Sequence, residues 1–198
     1  MKKAVIVAVF AAACTAGTAF AAPPPQAIRG TIDKMEGPAV FIKQAQGPEV
    51  SVRLLDNANV FGVEAATLIE LKPNDFIGVG ATPQPDGSQK AILVTIFAES
   101  QRGTGEGFRP WDRPGSTMTN GTAESIVSTV DGRVVTVKYK GGEQKITVGA
   151  DAKIRRYVPA TRDDLKPGAK VSVPRPDEAP DGSLQTSRIN VGIGDMAP

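Results

Sequence analysis

From about residue 27 onward, apolar and polar side chains alternate over most of the chain, the period of two expected of strands that bury one face. Val50, Val52 and Leu54 carry it in one region, and residues 134–137 and 146–148 carry it in another. Between these runs stand Glu36-Gly37-Pro38, Gln46-Gly47-Pro48, Asp131-Gly132 and Gly141-Gly142, residue types that tolerate the dihedrals of tight hairpins. Consecutive strands are therefore expected to run antiparallel. The alternation breaks at residues 64–71 and again near 160–165, each followed by Lys-Pro. Each break predicts one short helix stopped by proline, which cannot continue it. Two further strands follow each stop, at 75–82 with 89–97 and at 169–174 with 183–191.

The two halves follow one template. Gly37 falls on Gly132, 40–43 on 135–138, Asp56 on Asp151, Leu71-Lys72-Pro73 on Leu165-Lys166-Pro167, and Asp86-Gly87-Ser88 on Asp181-Gly182-Ser183, always 94 or 95 residues apart. Five matches in register mark a duplicated structural unit rather than the recurrence of common turns. A helix set between early and late strands of a unit of about 70 residues is the order of the OB-fold, a small Greek-key barrel. The expected class is all-β: two tandem OB-like antiparallel β-barrels, each with one short helix, at 27–97 and 123–193, joined by a Gly/Pro-rich linker at 98–122. An open roll or a two-sheet sandwich would use the same list of strands.

Asp164-Leu165-Lys166-Pro167-Gly168, the Val171 and Val173 strand, Asp181-Gly182-Ser183-Leu184 and Arg188-Ile189 resemble the closing half of the DUF5666 domain, a family of unknown function. The resemblance extends over 124–191 and, more loosely, over 28–97, where Asn74 replaces the corner glycine. It implies a periplasmic OB-type fold. Its motifs are turns and core positions, so it implies no activity.

The opening residues change where such a fold is expected to work. Lys2 and Lys3 precede an apolar run at 4–13, and small residues continue to Ala22, with a cleavage site at Ala19-Phe20-Ala21. This is the pattern of a secretory signal peptide over 1–21, and its apolar part is about half of the roughly 20 residues that span a bilayer. The expected location is periplasmic or secreted. Acylation at Cys14 is the weaker alternative, because Ala11-Ala12-Ala13 lacks the large aliphatic residue usual before a lipidated cysteine.

Cleavage would remove the only cysteine and two of the 23 Lys+Arg, leaving 21 basic against 21 acidic residues. A neutral mature chain gives no general case for a nucleic-acid partner, which is disfavoured. No other segment reaches membrane-spanning length, so no transmembrane helix is expected in the mature chain.

With no histidine anywhere and no mature cysteine, the chain lacks nitrogen and sulfur ligands for transition metals and the usual base of a serine or cysteine nucleophile. Neither a metal nor a cofactor is expected, and no catalytic residue is assigned. The expectation is a non-enzymatic module that holds an envelope protein, a peptide or a small ligand.

Two stretches are candidates for contact. In the linker, Arg109, Trp111, Asp112 and Arg113 combine a stacking surface with charge. The plainer account packs Trp111 between the two barrels and pairs the arginines with Asp112, Glu99 or Glu106. In the second repeat, which with its tail (123–198) is basic by 12 to 10 where the first (27–97) is acidic by 8 to 6, Lys153, Arg155, Arg156 and Tyr157 form the one local basic cluster. It is the candidate for an anionic polymer, nucleic acid or polysaccharide, on a basic strand edge. A charged guard on an exposed edge would look the same.

Overall fold

The computed structural model describes residues 27–111, 113–130 and 132–198, so the signal-peptide assignment, Cys14 and Asp112 lie outside the described residues. The fold is all-β. Thirteen strands form one mixed sheet, and no described helix is long and apolar enough to cross a membrane.

In the first half, β1 (Ile28–Glu36), β2 (Ala39–Gln44) and β3 (Val50–Ala65) are followed by β4 (Phe76–Pro83) and β5 (Gln89–Ile96). A short β6 (Gly107–Pro110) leads into the second half. There β7 (Thr117–Thr129), β8 (Gly132–Tyr139), β9 (Gly142–Val148) and β10 (Lys153–Pro159) precede β11 (Lys170–Val173), β12 (Asp177–Glu178) and β13 (Leu184–Gly192).

The expected helices are single 3-10 turns, Leu68–Glu70 and Arg162–Asp164, and β3 continues through residues 64 and 65. Three residues ahead of a proline corner cannot repay the cost of nucleating an α-helix. Each turn is instead held by its last side chain, the Glu70 carboxylate accepting from the Thr67 amide at 2.6 Å and the Asp164 carboxylate from the Thr161 amide at 2.8 Å.

Positions matched between the two halves share local geometry. Asp86 accepts from the Ser88 amide and hydroxyl at 3.0 and 2.6 Å, and Asp181 accepts from Ser183 at the same two distances. Asn74 has φ 72° where its counterpart Gly168 has φ 88°, because asparagine is among the few residues that enter the left-handed region at modest cost.

Pairing does not follow the boundaries 27–97 and 123–193. One closed cycle runs β1–β2–β3–β13–β11 and back to β1. The other runs β7–β8–β9–β5–β4 and back to β7. Each cycle takes three strands from one half of the chain and two from the other, with its single parallel contact at the equivalent place, β3 with β13 and β5 with β9. Thus β4 and β5 of the first half pair with strands of the second half, and β11 and β13 of the second half pair with strands of the first.

The cores follow the cycles. Ile32, Val40, Ile42 and Val52 pack with Val171, Val173, Ile189 and Val191, while Ile77, Val79 and Val94 pack with Val135, Val137, Ile146 and Val148. The crossing begins at the proline corners, since Leu71 lies in the core with β7 to β9 and Leu165 in the core with β1 to β3. Both repeats offer the same alternation to either partner, so hydrophobic burial alone permits the exchange.

β10 joins the two cycles, antiparallel to the end of β3 and parallel to β5. The expected linker is largely structured too. β6 and the first residues of β7 fall within it, with 117–122 pairing along β4. Thr117, Thr119 and Asn120 make a polar strand, which carries no apolar alternation for sequence reading to detect.

Candidate anion-binding face

β10 places the residues of the basic cluster on opposite sides of the sheet. Ile154 packs on the core of the second cycle, so Lys153, Arg155 and Tyr157 face outward and Arg156 does not share their side. Arg156 pairs with Glu64 and, at 2.9 Å, with Glu70, which neutralises it. The cluster is also not on an edge, because β10 is hydrogen-bonded on both sides. Arg155, by contrast, is half-buried and has no ion-pair partner among the described residues; its Nε donates to the Thr95 hydroxyl at 3.0 Å.

Strand registers carry this outward face across both cycles. One row runs Arg29, Ser172, Asn190, Phe61 and Pro159 over β1, β11, β13, β3 and β10. Another runs Ala65, Arg155, Thr95, Gly78 and Asn120 over β3, β10, β5, β4 and β7. Val63 with Tyr157, Asn59 with Arg188, and Leu93 with Lys153 fill the positions between. These rows contain Arg29, Lys153, Arg155 and Arg188 and no Asp or Glu, although the chain as a whole is close to neutral.

Aromatic side chains hold the face together. Phe61 and Tyr157 lie 5.9 Å apart, Tyr157 and Phe97 5.2 Å, and Phe97 and Phe76 5.3 Å, the last two pairs edge to face. Such contacts each add about 0.5–1.5 kcal/mol beyond their buried area. The Arg188 guanidinium lies 4.7 Å from the centre of Phe61 and 5.0 Å from that of Tyr157, and its Nε donates to Asn190, which in turn donates to Ser172. Burial lowers the Arg155 pKa from its ordinary value, Tyr157 opposes that shift, and the positive charges of Arg29 and Arg188 add to it. Arg155 and Arg188 thus carry like charge around Tyr157, which Arg188 covers and which stands two residues from Arg155 on the same side of β10.

The linker candidates sit apart from β10. Trp111 is half-buried on β4, where a Cβ at Gly80 would overlap Cε3, Cζ3 and Cη2 of the indole, and Arg113 lies 5.2 Å from the ring centre. The tryptophan therefore packs on a strand of the second cycle. Two of the acids expected to pair in the linker have other partners, Glu99 binding Arg102 and Glu106 accepting from the Lys140 amide, while Arg109 donates to the Gly105 carbonyl at 2.8 Å; the pairing expected with Asp112 lies outside the described residues. Burial lowers the Arg109 pKa, and the nearby Arg175 charge adds to that.

Sequence reasoning singled out Arg155 and Tyr157 but missed Arg29, Phe61, Thr95 and Arg188 as their neighbours. Only the pairing of β13 with β3 and of β10 with β5 brings these together. A depression of about 540 Å³ lies elsewhere, lined by Pro73, Asn74, Glu106, Thr122, Glu124 and Lys138. Its Glu124 and Lys138 pair at 2.9 Å and Glu106 is engaged by Lys140, so its charges already have partners. Among the described residues no three acidic, histidine or cysteine side chains gather where they could hold a metal ion. No family model, no curated protein and no solved structure matches this chain.

Proposed function

We propose that this chain is a non-enzymatic, exported binding module that holds an anionic ligand on the face centred on β10. The observation that carries the reading is the placement of Lys153, Arg155 and Arg188 on outward positions whose paired rows contain no carboxylate. Arg155 has no ion-pair partner among the described residues, and in a chain close to neutral such a cation beside Arg188 defines a local positive potential. We read each closed cycle of five strands as an OB-type barrel of DUF5666 kind, the tandem pair being interlocked by exchange of β4 and β5 for β11 and β13. The signal-peptide pattern at 1–21 supports a periplasmic or secreted location.

The test is anisotropy of a fluorescein-labelled sulfated polysaccharide titrated with the mature chain at low and at physiological salt. Binding is expected to weaken steeply with salt, as it does when protein cations replace counterions on a polyanion. It is also expected to weaken when Arg155 and Arg188 are both changed to Gln. No binding at low salt, or binding indifferent to salt and to the double substitution, overturns the reading.

A second reading uses the linker: the exposed Arg113 over the half-buried Trp111 offers a contact for a protein or peptide. Capture of envelope partners by wild type but not by Arg113→Ala, with thermal stability unchanged, supports it. Identical capture by both removes it.

A further inference from the structure

We infer that the group recognised on this face is a tetrahedral oxyanion, a phosphate or sulfate group, gripped by the outer nitrogens of Arg155 and Arg188. This rests on the anion-binding reading above and narrows it to a chemical group.

The argument starts from how the two guanidiniums are held. Arg155 uses Nε on the Thr95 hydroxyl, and Arg188 uses Nε on the Asn190 side chain at 3.3 Å. Asn190 is itself buried and tied to Ser172, and Thr95 is buried as well. Both anchors are therefore fixed parts of the sheet. In each arginine the inward nitrogen is spent on the protein, and the two Nη groups have no hydrogen-bond partner among the described residues. That end of the guanidinium is the fork that meets two oxygens of one oxyanion.

The rings restrict the choice further. Phe61, Tyr157, Phe97 and Phe76 pack against one another, and Arg188 covers Phe61 and Tyr157. Faces occupied in this way are not free platforms for nucleobases, which single-strand binders require. What remains for a ligand is charge and hydrogen-bond donors. Arg188 lies over Tyr157, two residues from Arg155 on the same side of β10, and the partial burial of Arg155 makes its interaction with an anion less screened than at an open surface. More than one positive charge at one place favours an anion that carries more than one negative charge.

Lysine at these positions would keep the charge and lose the fork. Arg155→Lys and Arg188→Lys therefore separate the narrower inference from the broader reading, and melting curves confirm that both variants are folded. The experiment is displacement of the labelled polysaccharide by inorganic phosphate, sulfate, glycerol phosphate, acetate or chloride, all at one ionic strength.

Phosphate or sulfate is expected to displace the probe at about a tenth of the acetate or chloride concentration, the factor that one charge-assisted hydrogen bond supplies. Either lysine variant is expected to erase that advantage. If glycerol phosphate competes as well as inorganic phosphate, the group is read on a larger molecule; if only the inorganic ions compete, the site takes the free ion. Either pattern supports the inference. Equal displacement by all five anions overturns it and leaves salt-sensitive polyanion binding standing. Failure of the probe to bind at any salt overturns both.

Discussion

Removing residues 170–198, which carry β11 to β13, separates an exchanged pair of cycles from two self-contained repeats. If each repeat closed on its own strands, the truncated chain would keep the first repeat intact and lose order in the second. The pairing observed here gives the opposite result. The cycle of β1 to β3 would lose β11 and β13 and with them Val171, Val173, Ile189 and Val191, all fully buried. Four such side chains at about 1.5–3 kcal/mol each are worth roughly 6–12 kcal/mol, comparable to the whole stability of a typical domain, about 5–15 kcal/mol. The first cycle should therefore unfold. The second, β7 to β9 with β4 and β5, keeps every strand of its core and should persist. Amide hydrogen exchange followed by NMR reads this directly: protection should vanish in β1 and β2 and survive in β4, β5, β7 and β8. Retained protection in β1 and β2 would refute the exchange.

Gly80→Ala puts a methyl group into the Trp111 ring and should destabilise by about 1–3 kcal/mol, the usual range for overpacking; tryptophan emission should shift to the red, and an unchanged spectrum counts against the seat described for the indole. Leu165→Ala should cost about 2–5 kcal/mol, and methyl NMR should show the disturbance in the valines of β2, β3 and β13, not in those of β8 and β9. Hydrogen bonds from Ser88 and Ser183 lower the pKa values of Asp86 and Asp181, and those from Thr67 lower that of Glu70. Groups so depressed stabilise the fold above their unfolded values, about 4, and that contribution is lost as pH falls through the folded values. Melting temperature should therefore drop in acid below about pH 4. A Ser88→Ala/Ser183→Ala variant should show a shallower drop, and an identical acid profile in variant and wild type would contradict this.

The strands were legible in the sequence because burial of one face writes itself as alternation, and β4, β5, β11 and β13 begin and end within a few residues of the runs that predicted them. The exchange was not legible for the same reason. Val171 and Val173 satisfy the pattern required by β1 equally well as partners within their own repeat or across the chain, since alternation specifies a face and not a neighbour. The break in alternation before each Lys-Pro predicts a helix but marks only a 3-10 turn, and Glu64 and Ala65 instead extend β3 far enough to pair with β10.

At the candidate site, Arg155 and Arg156 are indistinguishable as letters. One step along a strand turns one toward Thr95 and the other toward Glu64 and Glu70, so one of the three cations in the apparent basic cluster is spent in ion pairs. Arg188 entered the sequence reading only through the family resemblance, and 33 residues after Arg155 nothing marks it for binding until β13 is placed beside β3.

The most direct test of the binding claim is a map of where a polyanion touches the protein. Adding a short sulfated oligosaccharide to isotope-labelled mature chain should shift the amide and guanidinium resonances of Arg155, Tyr157, Arg188 and Arg29, and leave the depression around Asn74 and Glu124 unmoved. Shifts confined to that depression or to the linker at Trp111, with β10 and β13 silent, would contradict the account.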